Sequence, residues 1–344
     1  MVFIPEGTRG GTLSVHAPRD VRRYAEPVQQ DDVNAGGDAG EAGGDGPSDT
    51  RTGRLDAAVG RVAGVSVGRA RRLLAGGGVE VNGQTARAGD KGRRVTAADR
   101  VVVRTDVERV VPEPGRPLVE LGRGPGWVAV EKPAGVPVHP LAGGETGTLL
   151  NAAVARYAEL AAGVGREGPL RSGVVHRLDV DTSGVVVLAL TNEAWDRLRD
   201  AFAQHRVVKT YHALVRGDHP DSLPAEGRAD LHLAVTRHRP ARVSVVGPDH
   251  PGARSTAMSW RTVERRGGVA RIDVALETGF LHQIRVACAH RGFPVLGDRT
   301  YGRGVAELAP RQMLHAAAIA VDGVHVVCPE PAEMRATWAR LRQR

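Results

Sequence analysis

The sequence of 344 residues contains only two cysteines, Cys288 and Cys328, and no Cys-x-x-Cys pair. This scarcity excludes a disulfide framework and a thiolate metal site, and it indicates a reducing environment. No apolar run reaches about 18 residues, so we expect no membrane span. The first residues, MVFIPEGTRGG, lack the basic region and apolar core of a secretory signal. We therefore predict a cytoplasmic protein that does not associate with membranes.

Sequence motifs of common cofactor sites are missing as well. Neither the zinc motif H-E-x-x-H nor the phosphate loop G-x-x-x-x-G-K occurs. Residues 163–168 fit the dinucleotide pattern G-x-G-x-x-G, but they follow a predicted helix and open none. Residues 64–68 fit the hydrolase pattern G-x-S-x-G, but they lie between two predicted helices, where Ser66 is better explained as a helix cap. We therefore predict no cofactor and no metal.

The net charge of +8 is unevenly distributed along the chain. Residues 1–50 carry four Lys and Arg against nine Asp and Glu, whereas residues 51–104 carry twelve against four. A short, concentrated basic segment is typical of a protein that binds a polyanion. It is also what a solvated surface looks like in a proteome rich in arginine, and charge alone does not separate the two interpretations.

Composition and periodicity divide the N-terminal part into two regions. Residues 1–50 form an acidic Gly/Ala-rich tail with few large apolar residues, which we expect to be disordered. In residues 51–104, Leu55, Val59 and Val62 recur at helical spacing, and Ser66 can cap a second helix. Val79 then begins a strand that enters an Asn-Gly hairpin turn. Residues 51–104 are therefore predicted to form a compact domain.

The second helix of this region places basic residues on its outer side. Arg69, Arg71 and Arg72 point outward in the predicted helix, and no Phe, Trp or Tyr occurs in residues 51–104. The stretch RLDAAVGRVAGVSVGRARRLLAGGGVEVNG resembles the αL RNA-binding module of the ribosomal-protein S-four type. The resemblance implies a small αL RNA-binding domain. Since aromatic residues are absent, it would bind phosphates and helix shape rather than stacked bases.

The remainder of the chain is predicted to be one larger domain. Residues 105–122 are rich in proline and glycine and are interpreted as a linker to a domain of residues 123–344. Within that domain we expect helices over 148–162, 192–205 and from residue 281 onward, the last of them the final helix. Predicted strands outnumber helices and do not alternate regularly with them. This favours an α+β fold with a mixed, largely antiparallel sheet flanked by helices and loops.

A charged decapeptide, VHRLDVDTSG at 175–184, runs directly into the apolar stretch 185–190. Burying one of its charges without a partner would cost roughly several kcal/mol of desolvation free energy. One interpretation is a loop in which Asp179 or Asp181 accepts backbone hydrogen bonds and Gly184 supplies a positive φ. The other is an active-site carboxylate at the end of a rigid strand. The decapeptide alone leaves both open.

Five segments decide between them: KPAGVPVHP, HRLDVDTSG, KTYHALVRG, TGFLHQIRVACAHRGFPVLGDRTYG and QMLHAAAIAV, in this order between residues 132 and 321. Together they resemble the RluA-type family of RNA pseudouridine synthases, and the resemblance covers essentially all of residues 116–340. It implies a pseudouridine synthase fold and the isomerisation of specific uridines in structured RNA. That reaction adds no atom, which agrees with the missing cofactor motifs.

The resemblance also implies roles for three catalytic residues. Asp179 would be the nucleophile that forms a transient covalent adduct with the sugar or the base. Arg285, in the HQIR motif, would pair with it through its planar fork, because a nearby cation favours an ionised carboxylate. Tyr211 would stack on the target base and could handle a proton. Stacking on one aromatic ring returns about 1–3 kcal/mol, which offsets much of the free energy of flipping a base.

Further roles follow by the same resemblance. Arg177 would fill the gap left by the flipped base, and Leu296 would pack on the other side of the uracil. Lys209 would pair with RNA or with a carboxylate. Before HQIR the family commonly has Arg-Thr, where this chain has Phe280-Leu281. After the Arg-Val that follows, the family has His, where this chain has Ala287-Cys288. These differences put the polar surroundings of Arg285 in question.

The expected partner is RNA, either ribosomal RNA of the large subunit or transfer RNA, and we expect a monomer. An alternative from another class is a synthase-fold protein that binds RNA but has lost catalysis.

Overall fold

The computed structural model describes residues 52–104, 109–217, 223 and 225–341. The predicted acidic tail at 1–50 lies outside the described residues, as does part of the predicted linker. None of the described helices is long and apolar enough to cross a bilayer.

Residues 52–104 fold around a small apolar core of their own. Their elements are β1 (Gly53–Arg54), α1 (Leu55–Ala63), α2 (Val67–Ala75), β2 (Val79–Val81), β3 (Gln84–Thr85), β4 (Arg94–Val95) and β5 (Val101–Val103). The buried side chains of α1, α2 and β2 form this core, and none of them belongs to the large core of the rest of the chain.

The turns of this region form where the sequence predicts them. Helix α1 ends at Gly64, which adopts φ 64°, and the Ser66 hydroxyl accepts the backbone N–H of Arg69 at the start of α2. Asn82 and Gly83 both have positive φ, as a two-residue hairpin turn of this type requires. One detail of the prediction was wrong. Val62 is exposed, because only one side of the nine-residue helix faces the core.

The remaining elements build one large sheet with helices around it. They are β6 (Glu120–Gly124), β7 (Trp127–Lys132), α3 (Leu149–Arg156), α4 (Ala158–Ala162), β8 (Ser183–Ala189), α5 (Asn192–Ala203), β9 (Val208–Arg216), β10 (Glu226–His238), β11 (Ala241–Val245), β12 (Arg254–Arg266), β13 (Val269–Leu276), α6 (Gln283–His290), β14 (Leu314–Val321), β15 (Val324–Val327) and α7 (Ala332–Leu341).

The strand order of this sheet is β11-β10-β12-β13-β9-β14-β8-β7-β6, with β15 paired to β14. Among the described strands, the β14–β8 pair is parallel and the other pairs are antiparallel. The predicted α+β fold with a mixed, largely antiparallel sheet is thus confirmed. The parallel pair matters most here, because it places the start of β8 beside the start of β14.

Gly184 makes that pairing possible. It has φ 126°, and a Cβ atom added to it would lie 2.3 Å from the carbonyl oxygen of Ala316 on β14. Any other residue would separate the two strands where the charged loop meets the sheet. Strand β8 continues from this point with every residue buried. The loop before β8 is therefore held close to β14.

Four secondary-structure predictions were wrong. The first concerns strand β6, which was missed and whose first three residues, 120–122, lie in the predicted linker. The helix predicted over 148–162 is two helices, α3 and α4, because Tyr157 between them has the extended dihedrals φ −117° and ψ 106°. The helix α6 begins at Gln283 rather than near Leu281 and is not the last one, since α7 follows. Strand β15 was also missed. It is short and pairs only with β14, so it has little pattern of its own.

Candidate active site

Asp179 lies in the loop that leads into β8. The N–H of Thr182 donates to the carbonyl oxygen of Asp179 at 3.1 Å, which closes a turn around residues 179–182. The side chain of Asp179 is 19% exposed, so its carboxylate is partly removed from water but remains reachable. Leu178 beside it is buried in the large core and anchors the loop.

A pocket opens at this carboxylate. Its walls come from the 177–182 loop, β9, the end of β13, the start of α6 and the start of β14: Arg177, Leu178, Asp179, Thr182, Tyr211, Leu276, Phe280, His282, Gln283, Ile284, Arg285 and Leu314. Four of the predicted site residues therefore meet in one place although they span more than a hundred positions of sequence.

Arg285 contacts two carboxylates at once. Its Nη1 donates to Asp179 Oδ2 at 2.8 Å, while Nε and Nη2 donate to the two oxygens of Asp298 at 2.7 and 2.9 Å. The pair with Asp179 was predicted, but the fork of the guanidinium faces Asp298 instead. Burial opposes the charge of Arg285, yet Asp298 and Asp179 outweigh it and raise the pKa of Arg285. The cation is fixed on one side and reaches the pocket with one N–H.

Asp298 is held in place by its own tight turn. Besides Arg285, its Oδ1 accepts the backbone N–H groups of Thr300 and Tyr301 at 2.8 and 3.1 Å. Burial favours the neutral acid, but these donors outweigh it and the pKa of Asp298 is lowered. Gly297, at φ 76°, is needed because a Cβ there would lie 1.8 Å from the carbonyl oxygen of Arg311. Asp298 is thus an ionised, preoriented partner for Arg285.

Gln312, on the segment before β14, supports the same side of Asp179. Its amide nitrogen donates to Thr182 Oγ1 at 2.8 Å and lies 3.5 Å from Asp179 Oδ2. Oδ2 therefore has two donors, Arg285 and Gln312, whereas among the described residues Oδ1 has the imidazole of His282 as its polar neighbour, at 3.9 Å from Nε2. The two oxygens of Asp179 lie in different environments.

Lys132, at the end of β7, binds the backbone of the loop that carries Asp179. Its fully buried ammonium donates to the carbonyl oxygens of Pro133, Val136 and Val180 at 2.7–2.8 Å. Burial lowers the pKa of Lys132 to about 7. Since three acceptors match the three hydrogens of an ammonium, this side chain joins the KPAG turn to the residue after Asp179.

Tyr211, on β9, is buried in the pocket wall. Burial, and next the charge of Asp179, raise the pKa of its hydroxyl. The phenol is therefore protonated at neutral pH, and its ring is available for stacking. Arg177 is exposed at the mouth of the pocket.

Two predicted residues lie elsewhere. Leu296 is fully buried in a separate apolar cluster with Leu214 and Met313, so the structure does not bring it to the pocket. The apolar wall is formed by Leu276, Ile284 and Leu314 instead. Lys209 is also not part of the lining. Its Nζ donates to the carbonyl oxygen of Thr278 at 3.0 Å, and burial lowers its pKa to about 8.

The predicted RNA contacts Arg69, Arg71 and Arg72 lie on α2, outside the pocket lining. Arg71 has a protein partner, because its Nε lies 2.9 Å from the buried carboxylate of Asp56.

The sequence differences beside Arg285 leave its partners intact. Phe280 lines the pocket and Leu281 packs against a small cluster around Val286. Ala287 and Cys288 are buried in the large core, and Arg285 still contacts both carboxylates. The changes alter the apolar surroundings of the site rather than its ion pairs.

No group of three or more His, Cys, Asp and Glu suited to a metal ion occurs within the described part of the chain. The sequence profile of the RNA pseudouridylate synthase family matches residues 126–290. An uncharacterized RNA pseudouridine synthase of Mycobacterium bovis is 35% identical over 311 residues, which cover 84% of this chain and 94% of that protein. The chain belongs to the RNA pseudouridine synthase family. The predicted enzyme class is confirmed at this level.

Other relatives agree with this assignment. An uncharacterized RNA pseudouridine synthase of Chloroflexus aurantiacus is 38% identical over 222 residues, 62% of this chain and 66% of that protein. Ribosomal large subunit pseudouridine synthase D of Xanthomonas campestris is 35% identical over 276 residues, 76% of this chain and 78% of that protein. The structure of human RNA pseudouridylate synthase domain containing 4, at 21% identity, matches 65% of this chain and 93% of its own with a TM-score of 0.51. This last likeness shows the fold.

Sequence reasoning missed three polar residues of this synthase's site, namely Asp298, His282 and Gln312. All three lie inside segments that carry the family resemblance, GDRTYG, HQIR and QMLHAAAIAV. The signal was therefore present, but spacing alone does not say which polar residue of a segment points at the pocket.

Proposed function

We propose that this synthase converts specific uridines in structured RNA to pseudouridine, with Asp179 as the nucleophile. The observation that carries the proposal is the ion pair between Asp179 and Arg285 inside a pocket that also holds Tyr211. A partly buried, paired carboxylate that lines a pocket with an aromatic ring suits covalent catalysis on a flipped base. Asp179 forms a transient bond with the sugar or the base, the bond between the ribose and N1 of uracil breaks, and the base turns. A bond between the ribose and C5 then forms, and the bond to Asp179 breaks, which restores the free carboxylate. N1 gains a proton and C5 loses one, so the reaction is an isomerisation.

Oδ1 is the attacking oxygen in this proposal. Oδ2 of Asp179 is engaged by Arg285 Nη1 and lies close to Gln312, which leaves Oδ1 as the oxygen without a hydrogen-bonded donor among the described residues. Arg285 stabilises the carboxylate and cannot rotate away, because Asp298 holds its other two N–H groups. This geometry fits a nucleophile that must keep one orientation while the base turns.

The other pocket residues take supporting roles. Tyr211 stacks on the target base, and because its pKa is raised it acts as a protonated phenol in the resting site. Arg177, exposed at the mouth, fills the space that the flipped base leaves. Leu276, Ile284 and Leu314 take the place predicted for Leu296 on the other side of the base. Lys209 holds the Thr278 carbonyl and so shapes the pocket wall.

We further propose that the chain is of the RluA type and that residues 51–104 are an RNA-binding domain of the S-four type, joined by the predicted linker at 105–122, whose last three residues lie in β6. The fold of residues 52–104 supports this, with two helices, a Ser66 cap and an Asn-Gly hairpin in the order that the resemblance implies. Arg69 and Arg72 would contact RNA phosphates, and Arg71 would do so while paired with Asp56.

Ribosomal RNA of the large subunit is the proposed substrate, with transfer RNA as the second candidate. The names of the synthase D relatives support the first. We also propose that the enzyme acts in the cytoplasm as a monomer, without a cofactor. Mapping pseudouridine in total RNA with and without the gene distinguishes the two substrates, because the missing modification falls in one class of RNA or the other.

The decisive experiment is tritium release from RNA labelled at C5 of uracil. We expect Asp179→Asn to reduce release by at least about 1,000-fold while RNA affinity changes little, since the amide is isosteric but a poor nucleophile. Asp181→Asn is the matched control, because Asp181 is an exposed carboxylate in the same loop, and we expect a rate near that of the wild type. A wild-type rate in Asp179→Asn would contradict the nucleophile assignment. RNA binding without any tritium release by the wild type would favour the alternative of a protein that has lost catalysis.

A second experiment tests the basic helix in the full-length chain. Replacing Arg69, Arg71 and Arg72 by Gln is expected to weaken RNA binding and to lower the slope of log affinity against log salt by about 2 to 3. The control replaces three exposed arginines of ion pairs elsewhere, Arg123, Arg166 and Arg206, and removes the same net charge. Equal losses in both variants would show that total charge, and not this helix, binds RNA.

A further inference from the structure

His282 adopts an unusual backbone conformation at the edge of the pocket. It is the residue before α6 and has φ 55° and ψ 16°, in the left-handed region that non-glycine residues rarely enter. In this conformation its imidazole lies between two groups. Nδ1 is 2.9 Å from the hydroxyl oxygen of Tyr301, and Nε2 is 3.9 Å from Asp179 Oδ1. A strained residue facing a reactive group is a reason to look for a role.

Tyr301 determines which nitrogen of His282 carries the hydrogen. Strand β11 is an edge strand of the sheet, and the N–H of Val243 on it donates to the Tyr301 hydroxyl oxygen at 2.8 Å. The hydroxyl then has one hydrogen of its own to donate, and His282 Nδ1 is within reach of it. When this hydrogen is donated to Nδ1, the neutral ring carries its own hydrogen on Nε2. Burial lowers the pKa of His282, which favours the neutral ring.

The ring of Tyr301 is itself held by two arginines. The guanidinium carbon of Arg285 lies 5.2 Å from its centroid and that of Arg242, on β11, lies 5.9 Å away. The hydroxyl therefore has a fixed position, set by the edge strand on one side and by the catalytic arginine on the other. The fold therefore sets which group faces Nδ1 of His282.

We propose that His282 is a positioning residue that presents its Nε2–H to Oδ1 of Asp179, and that Tyr301 holds it in the required tautomer. This rests on the proposed function, because it takes Asp179 as the nucleophile. The resting distance of 3.9 Å exceeds a hydrogen bond. Nε2–H therefore orients the free oxygen electrostatically before attack without occupying it. Arg285 binds Oδ2, and Oδ1 stays free to attack.

Two substitutions at position 282 separate this role from a purely conformational one. Among residues with a side chain, Asn is one that tolerates a left-handed backbone well, but its amide is too short to replace Nε2. Gln fits the backbone less well, but its amide nitrogen reaches the position of Nε2. The proposal predicts that His282→Gln keeps a single-turnover rate within about 10-fold of that of the wild type. The rate of His282→Asn should be lower than that of His282→Gln by about 10-fold or more. A rate for His282→Asn that equals or exceeds that of His282→Gln overturns the proposal.

Tyr301→Phe removes the hydroxyl that faces His282 Nδ1 but keeps the aromatic ring, so it tests whether Tyr301 holds His282 in the required tautomer. We expect the single-turnover rate to fall about 10-fold with an RNA dissociation constant within threefold of the wild type. Tyr157→Phe is the matched control, since Tyr157 also donates through its hydroxyl, to Glu120 at 2.7 Å, but lies outside the pocket lining. If the single-turnover rate of Tyr301→Phe equals that of Tyr157→Phe, the role proposed for the Tyr301 hydroxyl is wrong.

The tautomer can be measured without any catalysis. In protein labelled with ¹⁵N-histidine, the ring of His282, assigned by its loss in His282→Asn, should show a protonated Nε2 and an unprotonated Nδ1 at pH 7.5. A hydrogen on Nδ1 overturns the proposal even if the enzyme is active. Absence of tritium release by the wild type, in contrast, contradicts the proposed function and leaves the tautomer measurement to stand or fall by itself.

Discussion

Residues 52–104 and the large sheet domain each contain one aspartate that is 1% exposed and paired with arginine, Asp56 and Asp298. Around Asp56, the side chains of Arg54 and Arg71 remain 56% and 52% exposed. Around Asp298, Arg285 is only 7% exposed. The acids are equally buried, and the difference between the two regions lies in the bases.

This difference separates two uses of the same ion pair. An arginine that is about half exposed is solvated with or without its partner. The ion pair therefore adds little to the free energy of unfolding and leaves the guanidinium group on the surface. An arginine out of water depends on its partners, and its orientation is fixed by them. Asp56 thus organises a basic surface, whereas Asp298 directs one N–H of Arg285 at Asp179.

The largest expected effect follows from removing the charge of Asp298. Asp298→Asn leaves the buried Arg285 with a single carboxylate, and we expect a loss of about 3–5 kcal/mol in the free energy of unfolding. The tritium-release rate should fall at least 100-fold, because Arg285 loses its orientation. Urea unfolding followed by tryptophan fluorescence measures the stability, since all four tryptophans lie outside residues 52–104.

Asp196→Asn is the control for this experiment. Asp196 pairs with Arg166 in the same large domain, but both side chains are about half exposed or more. We expect its urea midpoint and its rate to match the wild type. If Asp298→Asn unfolds at the same urea concentration as this control, burial of the arginine is not what distinguishes the two regions.

The sequence predicted the elements of residues 52–104 better than those of the large domain, for a physical reason. Helix α1 ends at Gly64 and α2 begins after Ser66, which are both local signals, and the hairpin between β2 and β3 needs positive φ at Asn82 and Gly83. In the large domain the division of α3 from α4 depends on Tyr157, whose hydroxyl donates to Glu120 on β6. No local pattern contains that contact.

The candidate site shows the same limit. The meeting of Asp179 with Arg285 was predicted only through the family resemblance, because 106 positions separate them. That Arg285 turns its fork to Asp298 depends on the tight turn at Gly297, a tertiary contact. Leu296 was expected beside the base, but the backbone of the same turn directs it into the cluster with Met313. Side-chain direction is decided by neighbours that the linear pattern does not contain.

A smaller effect should appear when the pH is lowered, and it concerns the large domain because residues 51–104 contain no histidine. His315 on β14 is fully buried, with contacts to Ser183 Oγ and the Cys328 carbonyl, and burial lowers its pKa to about 4. The unfolded chain takes up a proton near pH 6.5 and the folded chain does not. Stability is therefore present above pH 6.5 and is lost as the pH falls towards 4.

The measurement compares urea unfolding at pH 7.5 and 5.5 by tryptophan fluorescence. Between these values His315 should account for a loss of about 1 kcal/mol. His315→Gln lacks the titrating imidazole and should be less stable than the wild type at both pH values. Its loss of stability between pH 7.5 and 5.5 should be smaller than that of the wild type by about 1 kcal/mol. An unchanged pH dependence in the variant would show that His315 does not set it.

The smallest effect is expected at Asp56, and it completes the comparison. Burial favours the neutral acid, but Arg54 and Arg71 outweigh it and lower the pKa of Asp56. When Asp56→Asn removes the charge, both arginines turn to water, so the loss in the free energy of unfolding should stay below about 1 kcal/mol, less than the effect at His315 and well below that for Asp298→Asn. Hydrogen exchange of peptides from α1 and α2 measures it, because these residues contain no tryptophan. Faster exchange there, with unchanged peptides from β8 and β14 and an unchanged tritium-release rate, would confirm that this pair supports only its own surface. A fall in rate as large as that of Asp298→Asn would mean that the two pairs are not distinct.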